Sequence, residues 1–206
     1  MNQLDLTSYR HNPLPTVWAD LIKTAMTISY TAHQAIEQVR KFTGEEYYNH
    51  PFRVAQTLVD HGFSPEIVAT ALLHDVIEDT GMEPSDLSFL GVPGKVITNV
   101  EMLSEDKSIA RDIRKADTAQ RALSWPLSVC VVKLADITDN YGGIPLDETT
   151  PEMSTAWKEK YFKEGQRLVK SIMDNPNVTW TTDSAVAKLL NSARQAVGRI
   201  NTVNSN

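Results

Sequence analysis

Apolar residues in this chain recur at helical spacing. Val17, Leu21, Ala25 and Ile28 fall three or four residues apart, as one stripe of an α-helix requires, and no run alternates long enough to make a convincing strand. The pattern predicts an all-α fold. Helices are expected at about 14–42, 51–61, 65–78, 94–103, 107–124, 126–139, 151–174 and 183–202. Breakers separate them: Thr43-Gly44, His61-Gly62, Gly81, Gly91 to Gly94, Pro126 and the stretch Gly142-Gly143-Ile144-Pro145. Ser64-Pro65-Glu66 sets an N-cap candidate before a proline in the first helical turn. No internal repeat or long linker interrupts the 206 residues, and Pro145 to Pro151 is the most loop-like segment. One compact helical domain is therefore expected over 1–206, with Asn201 to Asn206 frayed at its end.

Composition excludes several classes. Apolar runs such as Val129 to Val132 fall far short of the roughly 18 residues of a membrane helix, so no span is expected. The opening MNQLDLTSYRHN has neither a basic start nor an apolar core, which argues against export. Cys130 is the only cysteine, so no internal disulfide can form and a reducing cytoplasm suits the chain. A net charge of -6 argues against a general nucleic-acid binder. An anionic substrate stays open where a metal or local cations compensate.

All five histidines, His11, His33, His50, His61 and His74, lie within the first 74 residues. Three segments carry chemistry. In ATALLHDVIEDT, residues 69–80, an apolar helix abruptly acquires His74, Asp75, Glu78 and Asp79. On one continuous helix, His74 and Glu78 would share a face and Asp75 and Asp79 an adjacent one. Three carboxylates beside an imidazole among Leu72, Leu73, Val76 and Ile77 are costly to bury without a cation or a strong hydrogen-bond network. The plain alternative is a solvated helix end.

In VCVVKLADITDN, residues 129–140, an apolar run ends in Asp136, Asp139 and Asn140, with Asp136 and Asn140 one turn apart. Asp136 is a candidate fourth ligand, and Lys133 is its alternative partner in an ordinary ion pair. In YYNHPFRVA, residues 47–55, His50 precedes Pro51 at an expected helix start and, alone, reads as a capping or core histidine. His61 suits the negative end of its helix. His11, His33 and His61 are given no ligand role.

The ordered set His50, His74-Asp75, Asp136 resembles the HD-domain metal-dependent phosphohydrolases. GEEYYNHPFRVAQTL, ALLHDVIEDT and VKLADITDN are most similar to the hydrolase domain of the RelA/SpoT alarmone enzymes and to the small alarmone hydrolases, over about residues 40–140. The resemblance implies a helical bundle in which His50, His74, Asp75 and Asp136 bind one divalent metal, with Mn²⁺ favoured. It implies that Glu78 and Asp79 orient or activate the attacking water, that Arg40 and Lys41 contact the nucleotide, and that Asn140 lies beside it. The implied reaction is release of the 3′-pyrophosphate from guanosine tetra- or pentaphosphate. WKEKYF, residues 157–162, is similar to the aromatic helix of the small hydrolases.

Two features depart from the family pattern. Asn140 is followed by Tyr141-Gly142-Gly143 in place of an Asn-Met-Arg type sequence, and His33 lies two residues off the register of the histidine preceding the Arg-Lys pair. The rival readings are another HD enzyme, acting on nucleoside monophosphates or deoxynucleoside triphosphates, and a silent nucleotide-sensing helical module. Trp157, Tyr161, Leu168 and Ile172 are expected to pack in the core. Arg111, Arg114, Lys115 and Arg121 read as a solvated positive face, and Cys130 as a small buried hydrophobe.

Overall fold

A computed structural model describes residues 4–7, 15–145, 154–182 and 184–202. His11, the segment 146–151 and residues 203–206 of the tail lie outside them. The helices are α1 (Thr16–Ala35), α2 (Asn49–Asp60), α3 (Pro65–Leu73), α4 (Val76–Thr80), α5 (Pro84–Phe89), α6 (Gly94–Leu103), α7 (Arg111–Ala122), α8 (Leu127–Gly142), α9 (Thr155–Met173) and α10 (Ala185–Thr202). Among the described residues there is no strand, only an isolated antiparallel bridge between Val39 and Glu46. The fold is all-α, as the spacing predicts. No described helix is long and apolar enough to cross a membrane. The helices group into two compact units, Met1–Asp106 and Lys107–Asn206.

In the first unit α3 packs against α1, α2 and α6. Every residue from Val68 to Leu73 is buried, so this part of α3 presents no face to solvent, and each enclosed leucine contributes about 1.5–3 kcal/mol. Three elements differ from expectation. Helix α1 ends at Ala35, not near residue 42, because Glu37 turns left-handed at φ 49° and Ile36 and Val39, which would continue the apolar stripe, are 46% and 57% exposed. The chain then forms a short hairpin, with Arg40 N–H donating to Glu45 O at 2.8 Å and Gly44 at φ 67° in its turn. Arg40 and Lys41 thus sit in a hairpin and not on a helix.

The expected helix 65–78 is broken at His74-Asp75 into α3 and α4. His74 and Glu78 therefore do not ride on one continuous helical face. Helix α5 was not expected; Pro84 opens it, and a reciprocal Glu83/Asp86 capping box holds its start.

In the second unit α8 packs against α10 and α9, and Val129 to Val132 are wholly buried. Beyond α9, the Asn175 amide donates to the carbonyls of Ala122 at 2.8 Å and Trp125 at 2.9 Å, closing the end of α7 against the start of α8. Cys130 is buried in this region, and burial pushes its thiol up to about 12. A thiolate is the reactive form. Native protein at pH 8.5 should therefore resist iodoacetamide, whereas denatured protein should be labelled; mass spectrometry reads the difference.

The aromatic stripe of α9 is only partly core. Ile172 is buried, but Trp157 and Tyr161 are half-buried and stack in sequence with Tyr141, at 4.7 Å and 4.3 Å between centroids. The Tyr141 hydroxyl donates to Tyr161 O at 2.8 Å. The departure at Tyr141 thus builds this stack. The positive face of α7 is also committed in part: Arg111 grips Glu164 with two hydrogen bonds of 3.2 and 2.7 Å, and Arg121 pairs with Asp117 at 2.7 Å.

Gly165 of α9 lies directly against the stack. A β-carbon there would come within 2.6 Å of the Tyr141 Oη and 2.7 Å of Cζ. The tyrosine is too enclosed to swing aside. Gly165→Ala should gain up to about 1 kcal/mol in helix propensity and lose about 1–3 kcal/mol to overpacking. The net expectation is a thermal midpoint lower by a few degrees, read by calorimetry.

Candidate metal centre

His74 and Asp75 are the two residues between α3 and α4, and α2 supplies His50. Both imidazoles are buried, His50 at 0% and His74 at 2% exposure. Their rings lie 5.1 Å apart, edge to face. His74 Nε2 is 3.1 Å and His50 Nε2 3.7 Å from the same oxygen, Asp75 Oδ2. Tyr47 Oη also donates to that oxygen at 2.7 Å.

The tautomer of His74 follows from its other nitrogen. Nδ1 lies 2.7 Å from Ala71 O, and a carbonyl only accepts, so Nδ1 carries the proton. In the neutral ring Nε2 is then a bare lone pair facing a carboxylate oxygen. Two acceptors at that distance repel unless a cation neutralises them, either a ring proton or a metal. An imidazole anchored through Nδ1–H to a backbone carbonyl, with Nε2 aimed at a carboxylate, is how metal-binding histidines are held. The donor set of His50, His74 and Asp75 fits a divalent cation.

The neighbouring acids are also held. Asp79 Oδ2 accepts from Gln38 Nε2 at 2.6 Å, and Glu78 Oε2 accepts from the Glu105 backbone N–H at 3.0 Å. Both carboxylates are half-buried. The hairpin bearing Arg40 and Lys41 is rooted on these acids from both strands, through Gln38 to Asp79 and Tyr47 to Asp75.

The second unit carries Asp136 on α8, 3% exposed. Its Oδ2 meets Lys133 Nζ at 2.8 Å, so the ion pair offered by the sequence does form, and its Oδ1 accepts from Asn140 Nδ2. Asn140 therefore fixes the orientation of Asp136.

His33 is the residue that the sequence reading passed over. It is 1% exposed near the end of α1, with Nδ1 2.6 Å from Gln38 Oε1 and its ring 5.0 Å from Tyr47. Burial pushes its pKa below the ordinary value, against the raising pull of Gln38, Asp75 and Asp79. His61 behaves as expected, closing α2 with Nδ1 2.7 Å from Thr57 O.

A family description, HD domain, matches residues 29–160, which contain every residue of this site. The chain belongs to the HD-domain family. Within it, the chain is 30% identical over 151 residues to a zebrafish (Danio rerio) protein named guanosine-3′,5′-bis(diphosphate) 3′-pyrophosphohydrolase MESH1, a match covering 71% of this chain and 82% of that one. It is 28% identical over 184 residues to a GTP pyrophosphokinase of Myxococcus xanthus, 84% of this chain but 23% of the relative. The chain thus spans less than a quarter of that longer relative.

Among solved structures, one described as a metazoan ortholog of SpoT that hydrolyzes ppGpp superposes with a TM-score of 0.70 at 24% identity. That match covers 85% of this chain and 94% of the other, and shows the shared fold. A protein of Listeria monocytogenes EGD-e superposes at 0.65 with 26% identity, over 78% and 98% of the two chains.

Proposed function

We propose that this HD-domain protein is a metal-dependent phosphohydrolase that removes the 3′-pyrophosphate from guanosine 3′,5′-bis(diphosphate) and its pentaphosphate relative. The observation that carries the reading is the pair of buried imidazoles aimed at one oxygen of Asp75. Support for the substrate comes from the 30% identity to the zebrafish 3′-pyrophosphohydrolase. His50, His74, Asp75 and Asp136 hold one divalent metal, and Mn²⁺ suits their mix of nitrogen and oxygen donors. The single cysteine suits such a protein to the reducing cytoplasm.

When bound, the metal lowers the pKa of water and neutralises charge on the phosphoryl oxygens. The chain supplies the rest. Glu78 and Asp79 orient the attacking water and take up its proton. Arg40 and Lys41, set in the hairpin, provide the local positive charge that an acidic protein needs to bind a polyphosphate. Asn140 lies beside the nucleotide while its amide nitrogen keeps Asp136 in place. Tyr47 donates its hydroxyl to Asp75 Oδ2 and so directs the carboxylate.

A substrate panel with purified protein and Mn²⁺ tests the reading. Turnover of guanosine tetraphosphate with little action on GMP, AMP or deoxynucleoside triphosphates is expected. Dephosphorylation of ordinary nucleotides with no action on the tetraphosphate would instead assign the protein to another HD activity. Metal retention with no turnover of any nucleotide would mark a silent sensing module.

A further inference from the structure

We propose that His33 is a positioning residue that acts through Gln38 to hold Asp79, forming a directed hydrogen-bond relay from the last turn of α1 to that carboxylate. The inference rests on the reading of Asp79 as part of the catalytic pair, and the geometry of the relay stands apart from it. Asp79 Oδ2 is 2.6 Å from Gln38 Nε2, and Gln38 Oε1 is 2.6 Å from His33 Nδ1.

The chemistry fixes the direction of both bonds. An ionised carboxylate only accepts, so the Gln38 amide must present its NH₂ to Asp79. Its carbonyl oxygen is then left facing His33, and because that oxygen also only accepts, His33 must hold its proton on Nδ1. In the neutral ring Nε2 is bare. His33 Nε2 is buried and has no hydrogen-bond partner among the described residues, which suits a bare nitrogen better than an unsatisfied N–H.

The backbone is shaped to allow this. Glu37, the only described non-glycine residue with positive φ, reverses the chain after α1, and Gln38 N–H returns to His33 O at 3.2 Å. A left-handed glutamate costs roughly 1 kcal/mol. The turn brings Gln38 back over His33 and within reach of α4. The opposite strand of the hairpin is tied by Tyr47 N–H to Gln38 O at 2.9 Å, so the relay also anchors the segment that carries Arg40 and Lys41.

Two measurements test the relay independently. Long-range ¹H–¹⁵N NMR of the full chain at pH 7 reads the His33 tautomer without any substrate; Nδ1–H is expected, and Nε2–H would overturn the relay. Steady-state hydrolysis of guanosine tetraphosphate is then compared across variants whose circular dichroism matches the wild type. Gln38→Met, nearly isosteric but unable to bridge, should lower kcat about 10- to 100-fold, as a misplaced catalytic group does. KM should change by no more than about threefold if the bond acts mainly in the transition state.

His33→Asn, whose amide can replace Nδ1–H, should stay within about fivefold of wild type, while His33→Leu should fall with Gln38→Met. If Leu at this position works as well as Asn or better, His33 is only core packing and the relay is wrong. Wild-type protein inactive on the tetraphosphate but with an Nδ1–H His33 would overturn the substrate assignment and support the relay.

Discussion

His74→Ala is expected to lose both its metal and its turnover. The substitution removes one of two imidazoles directed at Asp75 Oδ2 and leaves that carboxylate beside His50 and Tyr47. Loss of the cation forfeits several kcal/mol of transition-state stabilisation, on the order of 10³-fold or more in rate. It also deletes the Nδ1–H bond to Ala71 O at a buried position, so some destabilisation accompanies it. His74→Gln, which keeps a polar group there, separates the effects: it should fold with a smaller loss of thermal midpoint and still retain little metal by elemental analysis. Full metal content in both variants would remove His74 from the ligand set.

Glu78→Gln should be nearly as inactive as Glu78→Ala, with metal content unchanged in both. Glu78 accepts the Glu105 backbone N–H at 3.0 Å, so a purely structural role has a definite signature. Glutamine can still accept that bond, and alanine cannot. If Glu78 only braced the chain at Glu105, Glu78→Gln would keep its activity. If Glu78 takes a proton from the attacking water, both variants lose about 10²- to 10⁴-fold in kcat. Steady-state kinetics with elemental analysis of the same samples distinguishes the two.

Much of the fold was legible because apolar spacing is a direct consequence of burial. The valines of α8 and the leucines of α3 report their own enclosure, and Pro65, Gly81 and Pro126 mark real boundaries. What could not be read is where tertiary contacts overrule local pattern. Ile36 and Val39 continue the stripe of α1 in sequence yet are exposed, because the turn at Glu37 carries the chain into the hairpin that Gln38 and Tyr47 pin to the acids.

The break at His74-Asp75 had no breaker residue to announce it. His74 keeps a helical φ of −58°, whereas Asp75 opens to φ −103° and ψ −5°, and the regular ladder between α3 and α4 stops there. Helix α5 could have been found from Glu83-Pro84 and Asp86, a capping signature followed by too few apolar residues to register as periodic.

Candidate site residues show the same division. His50, His74 and Asp75 were legible from their order along the chain, and the structure brings these three together. His33 was not, because seven residues separate it from Arg40, and only the reversal at Glu37 returns Gln38 to it. The Lys133–Asp136 pair and the Asn140 bond to Asp136 were each visible as spacing of one helical turn.

The most direct test of the account is turnover of guanosine tetraphosphate by protein stripped with a chelator and then reconstituted with Mn²⁺, with products resolved by anion-exchange chromatography. The account predicts no hydrolysis by the stripped protein and, on reconstitution, release of GDP and pyrophosphate in equal amounts. Undiminished hydrolysis by the metal-free protein, or orthophosphate as the product, would contradict it.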